Sequence, residues 1–412
     1  MPFIADFHIH SKYSRATSRD MDIPNLDRAA QTKGVNLVGT GDFTHPLWRA
    51  HLKKTLSPVA PGIFKHDKTF FLLTCEVSNI YYKEGRLKKI HNIIFAPDFN
   101  TVEKISSKLE RFGDLYSDGR PNLKLDAKDL VELLLDIDER IIIVPAHVWT
   151  PWFSLFGSRS GFDSIEECFE EYSKYIFAAE TGLSSDPSMN WRLSALDKIT
   201  LISCSDAHSP QKIGREANVF NTELSYEAIV EAIKQKDSRK FLYTIEFFPQ
   251  EGKYHYDGHR NCGISLPPEE TKRYKGICPV CKKPLTVGVL NRVDQLADRP
   301  EGFEPENSIP FKRVVPLREI VAESLGQNVA TKLVDEVYTR VVNRYGGEMN
   351  VLLDISLEEL SGFVPPRLIE GIKRMRDGKV KIKCGFDGVY GKVKIFDEEE
   401  LGEEKHGQLS LF

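Results

Sequence analysis

The sequence predicts an α/β fold built on a parallel sheet, followed by a small cysteine-rich segment and a helical C-terminal part. Through residues 1–247, short apolar runs alternate with amphipathic stretches of helical spacing. Three of the seven cysteines, Cys262, Cys278 and Cys281, lie close together in the chain. From about residue 310 the apolar residues take helical spacing again. Together these patterns indicate one large α/β unit and two smaller ones.

The first part of the chain alternates predicted strands with predicted helices. A helix start is expected where Asp22 is followed by Pro24, and helical spacing covers residues 101–112 and 126–138. This alternation is typical of parallel strands joined by crossover helices, in a barrel or in a doubly wound sheet. The predicted strands span residues 3–10, 35–43, 70–82, 90–96, 141–148, 176–181 and 199–205.

The second part divides into three predicted units. Residues 248–305 are rich in Gly, Pro, Lys and Cys with little apolar periodicity, as expected for a small domain held by a metal. Residues 306–396 are expected to form a helical, DNA-binding domain, and residues 397–412 an acidic, flexible tail. Within the helical domain the predicted elements are helices 317–325, 328–345 and 366–375 and a strand pair 380–384 and 389–395.

Charge and hydropathy exclude some classes of function. The net charge of −4 gives no overall signal for nucleic acid, but residues 251–300 carry nine basic and six acidic side chains, and residues 367–394 carry nine and three. Such runs indicate either a nucleic-acid contact or a solvated face. No stretch has the length of a membrane span, and the N-terminus does not read as a secretory signal, so we expect a cytoplasmic protein.

Residue types that bind metals recur at the ends of the predicted strands. His8 and His10 lie two apart, so a strand would direct both side chains to one face, and Asp206 and His208 repeat this spacing. In α/β barrels the functional residues lie at the C-terminal ends of the strands. A lone histidine there is usually a surface or hydrogen-bonded residue, whereas the joint pattern predicts a metal centre. The candidate residues are His8, His10, Asp42, Glu76, His91, His147, Asp206 and His208.

These motifs resemble the PHP (polymerase and histidinol phosphatase) family of metal-dependent phosphoesterases. The matching motifs are His8-Ile-His10, the run from Gly41 to His45, Cys75-Glu76, His91, Ala146-His147 and Ser205-Asp-Ala-His208. The resemblance implies a distorted (β/α)7 barrel, with His8, His10, Glu76, His91, His147, Asp206 and His208 holding two or three divalent ions (Zn, Mn, Mg or Fe). Asp42 would be a ligand or a nearby base and ranks above His45.

The sequence departs from the family at two places. Ser11 to Arg15 stand where the family often has an acid or a histidine, and Phe43 follows Asp42 where a histidine is usual. An amidohydrolase also begins with His-x-His, but it commonly uses a modified lysine and closes on a lone Asp. Glu76 and the closing Asp206-Ala-His208 therefore favour a phosphoesterase.

The cysteine-rich segment contains two short-spaced ligand pairs. His259-x-x-Cys262 and Cys278-x-x-Cys281 are separated by residues 263–277, a spacing typical of a structural zinc site. His255 is the competing fourth ligand. A redox role for the second pair lacks the usual strand–helix context. One structural zinc ion is therefore expected here.

Three further stretches resemble the endonuclease Q family of archaeal and some bacterial DNA repair enzymes. They are residues 252–262, 278–299 and 384–393, and the resemblance extends over essentially the whole chain. It implies hydrolysis of the phosphodiester 5′ to deaminated bases (uracil, hypoxanthine, xanthine) or abasic sites in double- or single-stranded DNA, leaving 3′-hydroxyl and 5′-phosphate ends. A nucleoid-associated location would follow. The alternatives are a phosphatase of a small phosphate ester and a non-catalytic DNA-damage binding protein.

Two groups of residues are candidates for macromolecular contacts. Aromatic residues directly after His147 should lie at the barrel mouth and stack on a displaced base, unless they only pack the loop. The tail resembles a shortened sliding-clamp (PCNA) peptide, with an unstructured tail as the alternative. The candidates are Trp149, Trp152, Phe153 and Phe156 for the base, Arg260, Lys282 and Lys283 for DNA phosphates, and Gln408, Leu411 and Phe412 for the clamp.

Overall fold

The structure, a computed structural model, describes residues 2–397. Its largest element is a mixed sheet with helices packed against it. The strands of the first part are β1 (Phe3–Asp6), β2 (Leu37–Gly39), β3 (Ser57–Ala60), β4 (Ile63–His66), β5 (Thr69–Lys83), β6 (Arg86–Ala96), β7 (Asn122–Leu123), β8 (Ile142–Pro145), β9 (Ala178–Glu180), β10 (Thr200–Ile202), β11 (Ala217–Phe220) and β12 (Phe241–Glu246). The helices are α1 (Ile23–Lys33), α2 (Pro46–Thr55), α3 (Phe99–Leu109), α4 (Ala127–Ile137), α5 (Ile165–Phe169), α6 (Pro187–Asn190) and α7 (Tyr226–Gln235).

The topology confirms the predicted α/β class. β1 pairs in parallel with β2, β2 with β5, and β9 with β10, with helices between successive strands. Each predicted strand run contains an observed strand. Antiparallel pairing was not predicted: β6 runs against both β5 and β8, and β11 runs against both β1 and β12.

The helices follow the local signals in the sequence. The Asp22 side chain accepts a hydrogen bond from the backbone N–H of Asn25 and begins α1 at the predicted place. Gly34 ends the helix with φ 79°, a conformation that glycine adopts without strain. In α4, Leu130, Val131 and Leu134 are buried on one face. Each such side chain contributes about 1.5–3 kcal/mol when removed from water.

The cysteine-rich segment has few apolar residues of its own to bury. Its elements are β13 (Asp257–His259), β14 (Ile264–Leu266), α8 (Pro268–Arg273) and α9 (Val289–Leu296). Leu266, Cys278 and Leu285 form its small buried cluster. A core of this size does not stabilise a domain alone, in keeping with the predicted metal. The segment is attached to the barrel through Arg292, whose Nε donates to the carbonyl of Phe156 at 2.9 Å.

The C-terminal part is helical, as predicted, and returns to the barrel sheet. Its strand β15 pairs in parallel with β12. The predicted domain boundaries after residues 247, 305 and 396 stay a prediction. The elements are β15 (Phe311–Arg313), α10 (Leu317–Ser324), α11 (Lys332–Tyr345), α12 (Leu357–Ser361), α13 (Pro366–Arg376), β16 (Lys381–Lys383) and β17 (Lys392–Lys394).

A buried ionic cluster joins the helical part to α1. Glu348 is 1% exposed, and its Oε2 accepts hydrogen bonds from Lys33 Nζ and from the Tyr338 hydroxyl, each at 2.6 Å. Its Oε1 accepts from the N–H of Leu317 at 3.0 Å, at the start of α10. The carboxylate is therefore fully bonded, which offsets the cost of burying its charge.

Among the described residues, no helix is both long enough and apolar enough to cross a lipid bilayer.

Candidate metal centre

The two His- and Asp-containing motifs lie side by side at the end of β1. The N–H of His10 donates to the carbonyl of Ala207 at 2.9 Å, and Ile9 bridges Ala207 as a parallel neighbour. Ile9 and Ala207 are buried on the core side, so the alternate residues His8, His10 and Asp206 are directed to the other side. The two-residue spacing of His8 and His10 therefore places both side chains on one face, as predicted.

Six predicted ligands form two donor sets that share Glu76. The first set is His8, His10, Glu76 and Asp206; the second is Glu76, His91 and His147; and the donor atoms of each set lie within 4.8 Å of one another. Glu76 Oε2 is 3.1 Å from His10 Nε2, whereas Glu76 Oε1 is 2.7 Å from His91 Nδ1 and 3.1 Å from His147 Nε2. One carboxylate therefore presents one oxygen to each set.

Three buried polar atoms of the first set make no well-aligned hydrogen bond, although His10 Nε2 lies 3.1 Å from both Glu76 Oε2 and Asp206 Oδ1. The three atoms are His8 Nε2, His10 Nε2 and Asp206 Oδ1. Buried polar atoms without partners are destabilising, and a cation between them would satisfy all three. Imidazole nitrogens with carboxylate oxygens suit Zn²⁺, Mn²⁺ or Fe²⁺. The residues present therefore fit a divalent ion.

Glu76 is held in its charged form. Burial alone would raise its pKa, but His91, Arg120 and His8 outweigh this effect and hold the pKa well below its usual value. A charged carboxylate at the junction of the two sets is the form that binds cations.

Asp42 lies behind His10 and belongs to neither donor set. Its Oδ1 is 3.1 Å from His10 Nδ1, and its Oδ2 accepts from the N–H of Ser11 at 2.6 Å and from Ser14 Oγ at 2.8 Å. Gly119 packs so closely that a Cβ there would lie 2.2 Å from Asp42 Oδ2. Asp42 therefore orients the His10 ring, and Ser14 occupies part of the region where the family often has a further ligand.

His208 and His45 also lie outside both donor sets. The His208 ring is 4.5 Å from the His10 ring, and its Nδ1 is 2.9 Å from the carbonyl of Asp206. His45 stacks on Tyr13 at 4.4 Å, and its Nε2 is 3.2 Å from the carbonyl of Tyr116. The ligand role predicted for His208 stays a prediction.

Two residues that sequence reasoning missed contact the ligands directly. Glu180 Oε1 is 2.9 Å from His8 Nδ1, and its Oε2 accepts from the N–H of His147 at 2.7 Å. Arg120 Nη1 donates to Glu76 Oε2 at 3.0 Å. Glu180 ends a predicted strand, so the rule that found the other residues applies to it too. Arg120 lies in a loop and carries no comparable signal.

The backbone at three of these residues is strained. Asp42, His147 and Asp206 adopt φ values of 48°, 31° and 46°, in the left-handed region that non-glycine residues rarely occupy. Such conformations concentrate at functional sites, because the surrounding structure must hold the side chain in a set position.

The cysteine segment brings together four donors. His259, Cys262, Cys278 and Cys281 place their donor atoms within 4.8 Å of one another, and Cys281 Sγ is 3.5 Å from His259 Nδ1. His255 lies elsewhere: it is 3% exposed and its Nδ1 has no partner. The geometry thus favours His259 as the fourth ligand.

A cavity lies between the metal centre and the cysteine segment. Its volume is about 250 Å³, and it opens beside His147 and Asp206. The far wall includes Tyr254 and His255. The other lining residues include Thr150, Ser184 and Lys253, so the cavity carries polar as well as apolar side chains.

The structure has full-length counterparts among solved structures. A lesion-specific endonuclease of Pyrococcus furiosus, PfuEndoQ, superimposes with a TM-score of 0.87 and 34% identity, covering 98% of both chains. The chain belongs to the endonuclease Q family. A structure of endonuclease Q with a 27-mer duplex carrying an abasic lesion at the active site matches with a TM-score of 0.86 and 33% identity, again over 98% of both chains.

Sequence comparison adds a match to a family model and matches to curated proteins. Residues 316–379 match the family described as the MJ0043 C-terminal domain. Protein MJ0043 of Methanocaldococcus jannaschii, itself uncharacterized, is 33% identical over 255 residues. That match covers 60% of this chain and 31% of the other, so the chain spans about a third of the length of this curated relative.

In this member of the endonuclease Q family, the aromatic residues predicted to contact a displaced base divide into buried and accessible side chains. Trp149 is 1% exposed and donates its indole N–H to Asn190 Oδ1 at 2.8 Å, and Phe156 is also buried. Both side chains pack the loop in this structure, and the expectation that they contact a base stays a prediction. Trp152 is 42% exposed and meets Tyr254 at the cavity rim, while Phe153 lies 4.8 Å from the His91 ring.

Proposed function

We propose that this protein is a divalent-metal-dependent DNA repair endonuclease. It cuts the phosphodiester 5′ to a deaminated base or an abasic site and leaves 3′-hydroxyl and 5′-phosphate ends. The observation that carries the proposal is the pair of donor sets sharing Glu76, in a chain that matches the lesion-specific PfuEndoQ over 98% of its length. Many enzymes that hydrolyse phosphate esters use two adjacent cation sites.

The ligand assignments follow the two donor sets. His8, His10 and Asp206 would hold one ion and His91 and His147 a second, with one carboxylate oxygen of Glu76 lying next to each set. Divalent ions there would lower the pKa of a bound water and neutralise charge on the phosphodiester. Asp42 and Glu180 orient the imidazoles, and Arg120 orients Glu76.

The cavity beside His147 is the proposed site for the damaged nucleotide. A base must leave the helix before it can be examined, and this costs least where pairing is weak or the base is missing. Trp152 contacts Tyr254, which lines the cavity, and Phe153 lies beside His91, so these two are the candidates to fill the gap in the duplex or to stack on the displaced base. Activity on uracil DNA should fall in Trp152→Ala and Phe153→Ala, and unchanged binding and cutting would refute the assignment.

The remaining parts of the chain bind DNA and partners. The His259–Cys281 cluster holds a structural zinc ion, and Arg260, Lys282 and Lys283 around it contact phosphates, as do the exposed Lys381, Lys383 and Lys392. The clamp candidates Gln408, Leu411 and Phe412 lie outside the described residues. Removing residues 406–412 should weaken binding to a sliding clamp, and undiminished binding would exclude that role.

The decisive experiment compares damaged and undamaged duplexes. End-labelled duplexes carrying uracil, hypoxanthine, an abasic site or only normal bases are incubated with the protein and Mg²⁺ or Mn²⁺. We expect a single nick 5′ to each lesion, none in the normal duplex, and none with Glu76→Ala. Equal cutting of all duplexes, or hydrolysis of p-nitrophenyl phosphate without any nicking, would contradict the proposal.

A further inference from the structure

The β5–β6 hairpin extends beyond the metal centre as a two-stranded arm. Both strands carry ligands, Glu76 on β5 and His91 on β6, and the pairing continues from Ser78↔His91 out to Lys83↔Arg86. We call residues 79–90 the arm. At about 3.3 Å per residue, its five residue pairs reach roughly 16 Å past His91.

One face of the arm is continuous with the metal centre. Cross-strand partners share a face, so Ile80 with Lys89 and Tyr82 with Leu87 lie on the same side as Ser78 and His91. Exposure increases along this open face from the buried His91 to Leu87, 39% exposed, and Tyr82, 73% exposed. An exposed aromatic and aliphatic pair therefore sits at the end of a surface that begins at the ligands.

The opposite face of the arm is held against the protein. Tyr81 is 7% exposed and its hydroxyl lies 4.0 Å from Cys168 Sγ. Lys83 Nζ bonds to Glu170 Oε1 at 2.6 Å, and Lys88 Nζ lies 3.9 Å from the centre of the Phe162 ring. Because these contacts fix the arm in place, Tyr82 and Leu87 are not needed to anchor it.

The arm carries the charge expected of a surface that contacts phosphates. Residues 82–89 contain four basic side chains and one acidic side chain. Lys89 Nζ lies 4.9 Å from the centre of the Phe153 ring, and that ring lies 4.8 Å from His91. Arg86 is exposed at the turn. Lys89 thus places positive charge on the open face beside the ligands, while Arg86 pairs with Lys83 on the opposite face.

We propose that the open face of the arm is a docking surface for the duplex that flanks the cleaved phosphodiester. Tyr82 and Leu87 contact bases or sugars in a groove, while Lys89, the cation on the same face, contacts a phosphate. The inference rests on the proposed function, since DNA held at the metal centre must continue past it. Two-stranded ribbons fit a DNA groove, and the combination of cations with an exposed aromatic matches a nucleic acid. This surface is separate from the cavity beside His147.

The first test uses Tyr82→Ala and Leu87→Ala with Val59→Ala as the matched control. Val59 is 49% exposed on β3, near the opposite end of β5 from the arm. Binding of a fluorescent abasic-site duplex is measured by anisotropy without divalent ions. We expect binding about tenfold weaker in the arm variants, in line with the loss of one aromatic contact. The single-turnover cutting rate at saturating protein should not change.

The second test measures salt dependence. Lys89→Ala should lower the slope of log Kd against log salt concentration by about one, the value expected for one lost phosphate contact. Lys104→Ala is the control, because Lys104 is exposed on α3, outside both the arm and the C-terminal helical part. An unchanged slope for Lys89→Ala would exclude a phosphate contact there.

The third test does not depend on affinity. A photoreactive phenylalanine placed at position 82 should crosslink to the duplex on irradiation, whereas the same group at position 59 should not. If the unmodified protein binds and nicks lesion DNA, but the arm variants bind equally well and position 82 gives no crosslink, the arm proposal is overturned while the proposed function stands. If the unmodified protein neither binds nor nicks lesion DNA, both are overturned.

Discussion

Replacing Glu180 tests whether the metal centre depends on a residue that is not itself a ligand. Its carboxylate contacts both donor sets, one oxygen lying 2.9 Å from His8 Nδ1 and the other 2.7 Å from the N–H of His147. A carboxylate only accepts hydrogen bonds, so His8 must carry its proton on Nδ1 and present the lone pair of Nε2 to a cation. Glu180 thereby selects the tautomer of His8 that can bind metal.

The expected effect is large in Glu180→Ala and nearly as large in Glu180→Gln. Losing the partner of a ligating histidine typically lowers metal affinity about 10- to 100-fold. That range corresponds to roughly 1.4–2.7 kcal/mol. A glutamine has one acceptor for two donors. If its oxygen accepts from His147, its amide faces His8 Nδ1, which leaves the proton on Nε2 where the cation should be.

The affinity is measured by isothermal titration calorimetry, with Mn²⁺ added to the metal-free protein. Glu246→Gln is the control: Glu246 is also buried, but it bonds to Thr181 and Thr244 rather than to a ligand, and burial raises its pKa to about 8. Its affinity for Mn²⁺ should stay at the value of the unmodified protein. Wild-type affinity in Glu180→Gln would refute the tautomer argument, and wild-type affinity in Glu180→Ala would remove Glu180 from the site altogether.

Three further outcomes are expected. Glu348→Ala should lower the free energy of unfolding in urea by about 3–5 kcal/mol, because it leaves Lys33 without its buried partner; a loss below about 1 kcal/mol would mean that the pair is solvated. His259→Ala should lose one zinc ion by atomic absorption and melt at a lower temperature, whereas His255→Ala should keep its zinc; the reverse result would exchange their roles. Burial raises the pKa of Glu251 to about 8 from a usual value near 4.5, so the protonated form contributes stability at low pH that is lost as the pH rises through about 8. Glu251→Gln should therefore show a smaller fall in melting temperature between pH 5 and pH 9, and parallel curves for both proteins would contradict the shift.

The strand-end residues could be predicted from the sequence because the signals are local. The alternation of side chains along a strand places His8 and His10 on one face, and the end of each apolar run marks where a strand stops. Glu180 also lies at the end of a predicted strand, so the same rule could have identified it. Arg120 is different, because its contact with Glu76 depends on where a long loop folds back, and nothing in the local sequence encodes that position.

The antiparallel pairing of β5 with β6 could not be predicted from the local sequence either. The hairpin turns at Glu84 and Gly85, which have φ values of 51° and 73°. Two successive positive φ values suit the twist of a hairpin, but glutamate is not among the residues that signal such a turn. Similarly, spacing alone could not choose between His255 and His259. The choice depends on β13 and β14, which turn His259 towards Cys281.

Because β12 pairs in parallel with β15, the cysteine segment is part of the connection between two neighbouring strands of the sheet. The chain leaves the sheet at Glu246 and returns opposite Thr244 at Phe311, so the two ends lie one strand spacing and two residues of register apart, roughly 8 Å. A segment with adjacent ends is an insertion in the topological sense, and such segments can be shortened or exchanged without cutting the fold in two. Release of its metal would therefore loosen a loop with both ends fixed, while the C-terminal helices stay attached to α1 through Lys33 and Glu348.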